Sequence, residues 1–233
     1  MCTVVALIRP DQVVLAANRD ERLDRPWDKP AEYWPGILGG RDRSAGGTWM
    51  AMNRAGVVAT VLNRPGTLGP VAGKRSRGVL PLMALRHDTA SAAAEAMTAL
   101  DATEWRGFNM VIADASGGYF VRGLGFGHPE MQLLPQGVSM VTAYDPNDME
   151  SPRTARHLHR FQAADPAPED WSPWMEILAD RSGPVAAQIN VVPRGGFGTV
   201  CSSLVRLAPG VDPVWLFADG PPDEAPFRPL AWP

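Results

Sequence analysis

Residues 1–21 read MCTVVALIRPDQVVLAANRDE and contain two short apolar runs separated by a proline-containing turn. The first run, 2–8, is rich in β-branched residues, and the second covers 13–17. This pattern predicts two antiparallel strands joined as a hairpin. Because the second strand of a hairpin ends beside the start of the first, we expect Asn18-Arg19-Asp20-Glu21 to lie next to Cys2.

Cys2 is the first candidate catalytic residue. Methionine aminopeptidases generally remove Met1 when the second residue is small, and the mature chain then begins with a cysteine. Such a residue combines a thiol of pKa about 8.5 with an α-amine of pKa about 7.7–8.0. The amine can therefore act as the general base for the thiol, which is the logic of an N-terminal nucleophile. The alternative interpretation is a small residue in a buried strand, since free cysteine is among the most buried residue types.

Three further residues are candidates for the same site. A guanidinium from Arg19 would favour the thiolate and bind a carbonyl or carboxylate group. The carboxylate of Asp20 could orient the α-amine. Asn63, at the end of a predicted strand, is a candidate oxyanion donor. Structural alternatives are a solvated charged turn for Arg19 and Asp20, and a turn-forming role for Asn63 before a Pro-Gly pair.

The rest of the chain consists of hairpins and helix pairs without βαβ alternation, which favours a single α+β domain over 1–233 with mostly antiparallel sheets. A Pro-rich linker is predicted around Pro166 and Pro168. Prolines and glycine pairs predict that 18–47 and 220–233 lack regular structure. Further strands are predicted at 48–53, 57–63, 108–113, 119–123, 138–143, 200–207 and 214–218, and helices at 79–87, 89–101, 152–163 and 170–180.

Composition excludes several classes of protein. The chain has 233 residues, and its 22 basic and 25 acidic side chains give a net charge of −3, which does not suit nucleic-acid binding. No apolar run is long enough for a transmembrane helix, and the N-terminus does not resemble a signal peptide. The two cysteines cannot form a disulfide framework, so we predict a reduced cytoplasmic location, with no metal and no cofactor.

A set of short motifs occurs in a fixed order along the first 115 residues, and a weaker one lies at 197–203. Together they resemble the NRDE family, also called the Transport and Golgi Organisation two family. The motifs are Met1-Cys2-Thr3, Ala17-Asn18-Arg19-Asp20-Glu21, Arg25-Pro26, Gly46-Gly47-Thr48-Trp49, Asn63, Ser76-Arg77-Gly78 and Gly107-Phe108-Asn109.

This resemblance implies a fold and a site. The family is similar to N-terminal nucleophile hydrolases, which are four-layer αββα sandwiches, and to cysteine-type acylases such as penicillin V acylase and bile salt hydrolase. In those enzymes an N-terminal cysteine attacks an amide. The matching positions here are Cys2, Arg19, Asp20 and the Asn63 of Leu62-Asn63-Arg64-Pro65-Gly66. Substrate contacts are expected from Asn18, Glu21, Trp49 and Thr142.

One stretch departs from the acylase pattern. The acylases carry a second asparagine after a later strand, whereas Val141-Thr142-Ala143-Tyr144-Asp145 has none before Asp145. Either Thr142 or a backbone N–H takes its place, or the second oxyanion contact is absent. Two functions are therefore predicted in competition. The first is a cysteine amidohydrolase acting on a non-peptide C–N bond of a small-molecule amide, and the second is a non-catalytic protein that binds or traffics haem or an acyl ligand.

Overall fold

The computed structural model describes residues 2–164, 166 and 170–232 of the chain. Three short 3-10 turns, at Arg77–Val79, Ala102–Glu104 and Val185–Ala187, accompany the regular elements. In chain order those elements are β1 (Thr3–Ile8), β2 (Val13–Arg22), β3 (Trp27–Trp34), β4 (Ile37–Asp42), β5 (Met50–Asn53), β6 (Val58–Asn63), α1 (Leu80–Ala84), α2 (Ala90–Thr98), β7 (Phe108–Asp114), β8 (Gly117–Gly123), β9 (Glu130–Leu133), β10 (Gly137–Val141), α3 (Pro152–Ala163), α4 (Ser172–Leu178), β11 (Phe197–Ala208), β12 (Val211–Ala218) and β13 (Phe227–Leu230).

The strands form two antiparallel sheets. The first sheet has the order β10-β1-β2-β11-β12-β13, and the second has the order β3-β4-β5-β6-β7-β8-β9. The predicted hairpin of β1 and β2 is confirmed, with Thr3 opposite Asn18 and Ile8 opposite Val13. β2 lies in the interior of its sheet because β11 pairs with its other edge.

The two sheets and the helices that cover their outer faces form four layers, because side chains along each strand alternate between the two faces of its sheet. On β1, Val4, Ala6 and Ile8 pack in the core between the two sheets. Val5 and Leu7 point the other way and pack with residues of α3 and α4. α1 and α2 cover the outer face of the second sheet through a third apolar cluster. The predicted α+β class and αββα arrangement are confirmed. The helix predicted at 152–163 has the expected bounds, and the other three predicted helices are present in shortened form.

Two predictions of irregular structure are wrong. Segment 18–47 contains the end of β2 and all of β3 and β4. Charged side chains pair between this part of the sheet and its neighbours, as Asp28 does with Arg41 and Arg43. The sequence of β3 and β4 therefore lacks the regular hydrophobic alternation by which a strand is predicted. Segment 220–233 contains β13, an edge strand that tolerates Pro229 because one side of an edge strand makes no ladder hydrogen bonds.

Two further sequence predictions concern the linker and membrane insertion. Of the two linker prolines, Pro166 is described and buried, whereas Pro168 lies outside the described residues. No helix within the described ranges has the length and apolar character needed to cross a membrane.

His157 gives the helical layer a pH-dependent stability. This side chain of α3 is buried, contacts the carbonyl oxygen of Ala187 through Nε2 at 2.9 Å, and meets Nη1 of Arg160 through Nδ1 at 2.9 Å. Its pKa is lowered to about 4, mainly by burial. The positive charge of Arg160 acts in the same direction, and the hydrogen bond to Ala187 acts in the opposite direction. His157 is therefore neutral in the folded protein at neutral pH.

Acid should destabilise the fold through His157. As the pH falls from about 6.5 to about 4, the unfolded chain binds a proton that the folded chain does not. The free energy of unfolding should then drop by up to about 3 kcal/mol across this window. Urea denaturation of His157→Gln should show a flatter pH dependence there than the parent protein. His159→Gln, at an exposed position on the same helix, is the control and should keep the parent slope. Equal slopes for both variants would contradict this assignment.

Candidate active site

Cys2 lies immediately before β1, on the face of the first sheet that looks towards the second. Its side chain packs against the core between the sheets, and its Sγ lies 3.6 Å from the backbone carbonyl oxygen of Asp20, to which the thiol donates. The register that sets Thr3 opposite Asn18 places Cys2 beside the following residues of β2. The hairpin therefore brings the thiol to Arg19 and Asp20.

A small cavity between the sheets begins at Cys2. The space open to the centre of a water-sized sphere is about 20 Å³, and the surrounding empty space of about 320 Å³ includes open solvent. Both sheets contribute to the cavity wall. Its residues include two thiols, one guanidinium, one indole and several apolar side chains: Cys2, Val4, Ala17, Arg19, Trp49, Met50, Thr60, Leu62 and Cys201. Burial raises the pKa of Cys201 to about 12, so this second thiol is neutral.

Arg19 supplies a buried positive charge to this cavity. The residue is 5% exposed, and its guanidinium lies over the ring of Trp49 at 4.1 Å and near that of Trp27 at 5.8 Å. Its Nη2 is 3.6 Å from a carboxylate oxygen of Glu21. Its Nη1 is buried and has no hydrogen-bond partner among the described residues. A fixed cation with one unused donor is suited to hold a carbonyl or carboxylate oxygen.

Asp20 faces the opposite side of the first sheet, because neighbouring residues of a strand alternate. Its Oδ1 accepts a hydrogen bond of 2.7 Å from Thr199, and its Oδ2 accepts one of 2.8 Å from Nη1 of Arg153. The same Nη1 donates to Thr3 Oγ1 at 2.7 Å. The Asp20 side chain is fully buried, so this network binds β2, β11 and α3 together behind the cysteine.

These charges act on the thiol in opposite directions. Burial is the main cause that raises the pKa of Cys2, and the negative charge of Asp20 acts in the same direction. The positive charge of the N-terminal amine, the hydrogen bond to the carbonyl oxygen of Asp20 and the positive charge of Arg19 lower it. Burial dominates, so the thiol is neutral at physiological pH in this structure. Ionisation therefore requires a base close to the sulfur.

The other residues of the Asn-Arg-Asp-Glu motif make structural contacts. Asn18 faces the helices, and its Nδ2 donates to the carbonyl oxygens of Leu178 and Ile189 at 2.9 and 3.0 Å. Glu21 faces the second sheet, where its carboxylate lies 3.7 Å from Nε of Arg25 as well as near Arg19. Among the predicted substrate contacts, Glu21 is thus beside the cavity, and Asn18 fixes the end of α4.

The two predicted oxyanion positions differ in their surroundings. Asn63 is the last residue of β6, is half-buried and pairs with Phe108, and the preceding Leu62 lines the cavity. Thr142 is fully buried on the helix side of the first sheet, where its hydroxyl lies 3.1 Å from that of Ser151.

Asn109 joins the two sheets beside these positions. Its Nδ2 donates to the carbonyl oxygens of Thr142 and Tyr144 at 3.0 and 2.8 Å, and its Oδ1 accepts from Arg64 at 2.6 Å. Arg64 also binds Asp145 at 2.7 Å. Asn109 therefore links β7 to the segment after β10, and Arg64 strengthens the link.

Sequence reasoning did not identify Arg153 or Thr199 as parts of the site. Arg153 is separated from Asp20 by 133 residues, and its place near the start of a surface helix gives no sign of burial. Thr199 belongs to the motif at 197–203, and this motif was the one feature of the sequence that could have indicated its place in the site.

Breaking the buried ion pair should cost much stability. Arg153→Met removes the guanidinium that pairs with the buried Asp20 carboxylate at 2.8 Å, and the free energy of unfolding in urea should fall by about 3–5 kcal/mol. The double variant Asp20→Asn, Arg153→Met should lose less than the sum of the two single losses. The matched control is Arg22→Met, which breaks an exposed pair with Asp24 and should cost less than about 1 kcal/mol. Additive losses in the double variant would refute the coupling.

The chain is similar in structure to several amidases. The Caenorhabditis elegans ortholog of N-acylethanolamine-hydrolyzing acid amidase superposes with a TM-score of 0.63 at 13% identity, covering 99% of this chain and 100% of that chain. Penicillin V acylase from Agrobacterium tumefaciens gives 0.56 at 15% identity, covering 94% and 83%. The C2A mutant of conjugated bile acid hydrolase from Clostridium perfringens gives 0.52 at 11%, covering 100% and 97%.

These similarities show the fold, which is that of the N-terminal nucleophile hydrolases. A search of curated protein sequences finds no significant match. The sequence profile described as Transport and Golgi organisation 2 matches residues 1–162, as the motifs predicted. The chain belongs to the Transport and Golgi organisation 2 family, for which NRDE is an alternative name.

Proposed function

We propose that the protein is an N-terminal cysteine amidohydrolase that cleaves a non-peptide C–N bond of a small-molecule amide. The observation that carries this proposal is that the Cys2 thiol and the buried Arg19 line the same cavity. The shared fold of the amidases described above supports the same conclusion at the level of architecture.

The proposed reaction begins with removal of Met1, which gives Cys2 a free α-amine. The amine takes the thiol proton, and the sulfur attacks the carbonyl carbon of the amide. The tetrahedral intermediate collapses when the leaving nitrogen accepts that proton, and an amine departs from a thioester on Cys2. Water then hydrolyses the thioester, which releases a carboxylic acid and restores the thiol.

The surrounding residues have separate proposed roles. Arg19 holds the substrate through its unused Nη1, since Arg19 lines the cavity that also contains the thiol. Asn63 and backbone N–H groups stabilise the oxyanion, and the support for Asn63 is its place at the end of β6, whose Val61 and Leu62 both line the cavity. Asp20 is a positioning residue: anchored by Arg153 and Thr199, it fixes the backbone carbonyl that accepts from the thiol.

A second candidate function is non-catalytic binding of an acyl ligand or of haem. The observation that favours it is the raised pKa of Cys2, because a buried neutral thiol can simply line a ligand cavity. The two functions differ in whether the thiol forms a covalent intermediate.

Mass spectrometry of the untagged protein tests the proposal. Met1 should be absent, and incubation with a library of small amides should yield a thioester adduct on Cys2 and free amine. Cys2→Ala should abolish amine release, by a factor of about a thousand or more. Ser91→Ala, which removes one nucleophilic atom from an exposed helix position, should retain full activity.

Other results would favour the second function. Retention of Met1 would leave Cys2 without a free amine and would rule out the proposed proton transfer. Saturable ligand binding that is unchanged in Cys2→Ala, without amine release, would identify the protein as a binding protein.

A further inference from the structure

Arg77 lies in the short turn Arg77–Val79 that precedes α1. The carbonyl oxygen of the next residue, Gly78, accepts a hydrogen bond of 2.9 Å from the backbone N–H of Thr48. Thr48 is followed directly by Trp49, which lines the cavity and lies under Arg19. The turn that carries Arg77 is thus fastened to the cavity wall.

The hydrogen bonds of Arg77 use one nitrogen and only uncharged acceptors. Nη1 donates to the carbonyl oxygen and the hydroxyl of Thr67 at 2.8 and 2.9 Å and to the carbonyl oxygen of Gly107 at 3.1 Å. Within the described parts of the chain, Nε and Nη2 donate to nothing. The edge of the guanidinium formed by these two nitrogens is the one that binds a carboxylate in bidentate geometry.

The positive charge around Arg77 is not balanced by carboxylates among the described residues. Arg106 also contacts carbonyl oxygens, those of Gly66 and Gly69 at 2.7 and 3.0 Å, and no carboxylate of the described residues pairs with it or with Arg77. Arg25 is neutralised by Asp42 at 2.7 Å. Glu21 is already shared between Arg19 and Arg25.

The pKa of Arg77 responds to the charged groups around it. It is lowered to about 10, chiefly by burial and next by the positive charge of Arg106. The negative charge of Glu21, and that of Cys2 once its thiol ionises, act in the opposite direction. The guanidinium is thus half-buried without a counter-ion and within electrostatic range of the cysteine. The contacts of Arg77 with Thr67 and Gly107 do not require a positive charge, since a neutral donor could make them.

We propose that Arg77 forms an anion subsite at the cavity entrance, which binds a carboxylate carried by the part of the substrate that stays outside the cavity. This inference rests on the proposed amidohydrolase function and narrows the substrate class to amides with an anionic group near the scissile bond. The planar guanidinium edge fits a carboxylate. The excess of arginines would also raise the local concentration of such a substrate.

Alkylation of Cys2 by two reagents tests the subsite without knowledge of the substrate. Iodoacetate carries a carboxylate, and iodoacetamide is its neutral counterpart. The rate constant of each reagent at Cys2 is measured by intact mass. Because both reagents react with the same thiolate, the ratio of the two rate constants does not depend on the thiolate fraction. The ratio depends instead on the electrostatic potential near Cys2. Arg77→Gln should lower the iodoacetate-to-iodoacetamide ratio roughly three- to tenfold at low salt, and added salt should shrink this difference.

The matched control is Arg86→Gln, which removes one positive charge from an exposed position elsewhere. It should leave the ratio unchanged. Equal ratios for the parent and Arg77→Gln would overturn the subsite while leaving the nucleophile intact. Arg77→Lys, which keeps the charge, should retain most of the preference in alkylation, and thermal unfolding checks that each variant is folded.

A second measurement does not depend on a reactive thiol. Cys2→Ala is titrated calorimetrically with N-acetylglycine, which carries a carboxylate, and with neutral N-acetylglycinamide. Only the carboxylate should bind, and Arg77→Gln in the same background should abolish the binding. No difference between the two compounds would overturn the inference. Failure of Cys2 to react with either reagent would instead count against the proposed function, so the two failures are distinguishable.

Discussion

The alternation of side chains along β2 is the constraint on which the site depends. Arg19 faces the second sheet and enters the cavity, whereas Asn18 and Asp20 face the helices. Because successive residues of a strand point to opposite faces, one short motif both presents a cation to the thiol and anchors the helical layer. Asn18 holds the carbonyl end of α4, and Asp20 holds Arg153 of α3. A shift of one residue in the register of β2 would exchange these roles and bury the wrong charge on each face.

A β-bulge in β11 lets a second strand follow this alternation. Thr199 is paired with Asp20 and Cys201 with Arg19, so the register shifts between them. In a regular strand, residues two positions apart share a face, and both would lie on the same side. The bulge lets Thr199 reach the Asp20 carboxylate on the helix side while Cys201 joins the cavity on the other. A buried ion pair adds little stability compared with apolar packing, but a satisfied network of this kind is well suited to fix such a register.

The parts of the fold that sequence alone predicts are those with a local signal. The apolar runs of β1 and β2 reveal their strands, and hairpin geometry then brings Cys2 to Arg19. The sequence does not predict β3 and β4, because ion pairs such as that of Asp28 with Arg41 stand where a typical strand would show alternating apolar residues. The ion pair of Asp20 with Arg153 cannot be predicted from the sequence either, because the two residues are 133 positions apart and the pair depends on how α3 packs on the sheet. Sequence therefore identifies the motif residues, and only the tertiary structure separates those that face the cavity from those that face the scaffold.

The electrostatics of the cavity determine which proton transfer is feasible. Burial and the charge of Asp20 both raise the pKa of Cys2, and the positive charges of the N-terminal amine and of Arg19 only partly oppose them. An anionic group bound at the entrance would add further negative charge and raise this pKa again, because a nearby like charge disfavours the thiolate. Substrate binding would then make loss of the proton to bulk solvent less favourable. A base within hydrogen-bonding distance of the sulfur avoids this difficulty, since the proton moves from the thiol to the base and on to the leaving nitrogen without leaving the site. After the proposed removal of Met1, the α-amine of Cys2 would be such a base, so a half-buried, neutral thiol is compatible with the proposed chemistry.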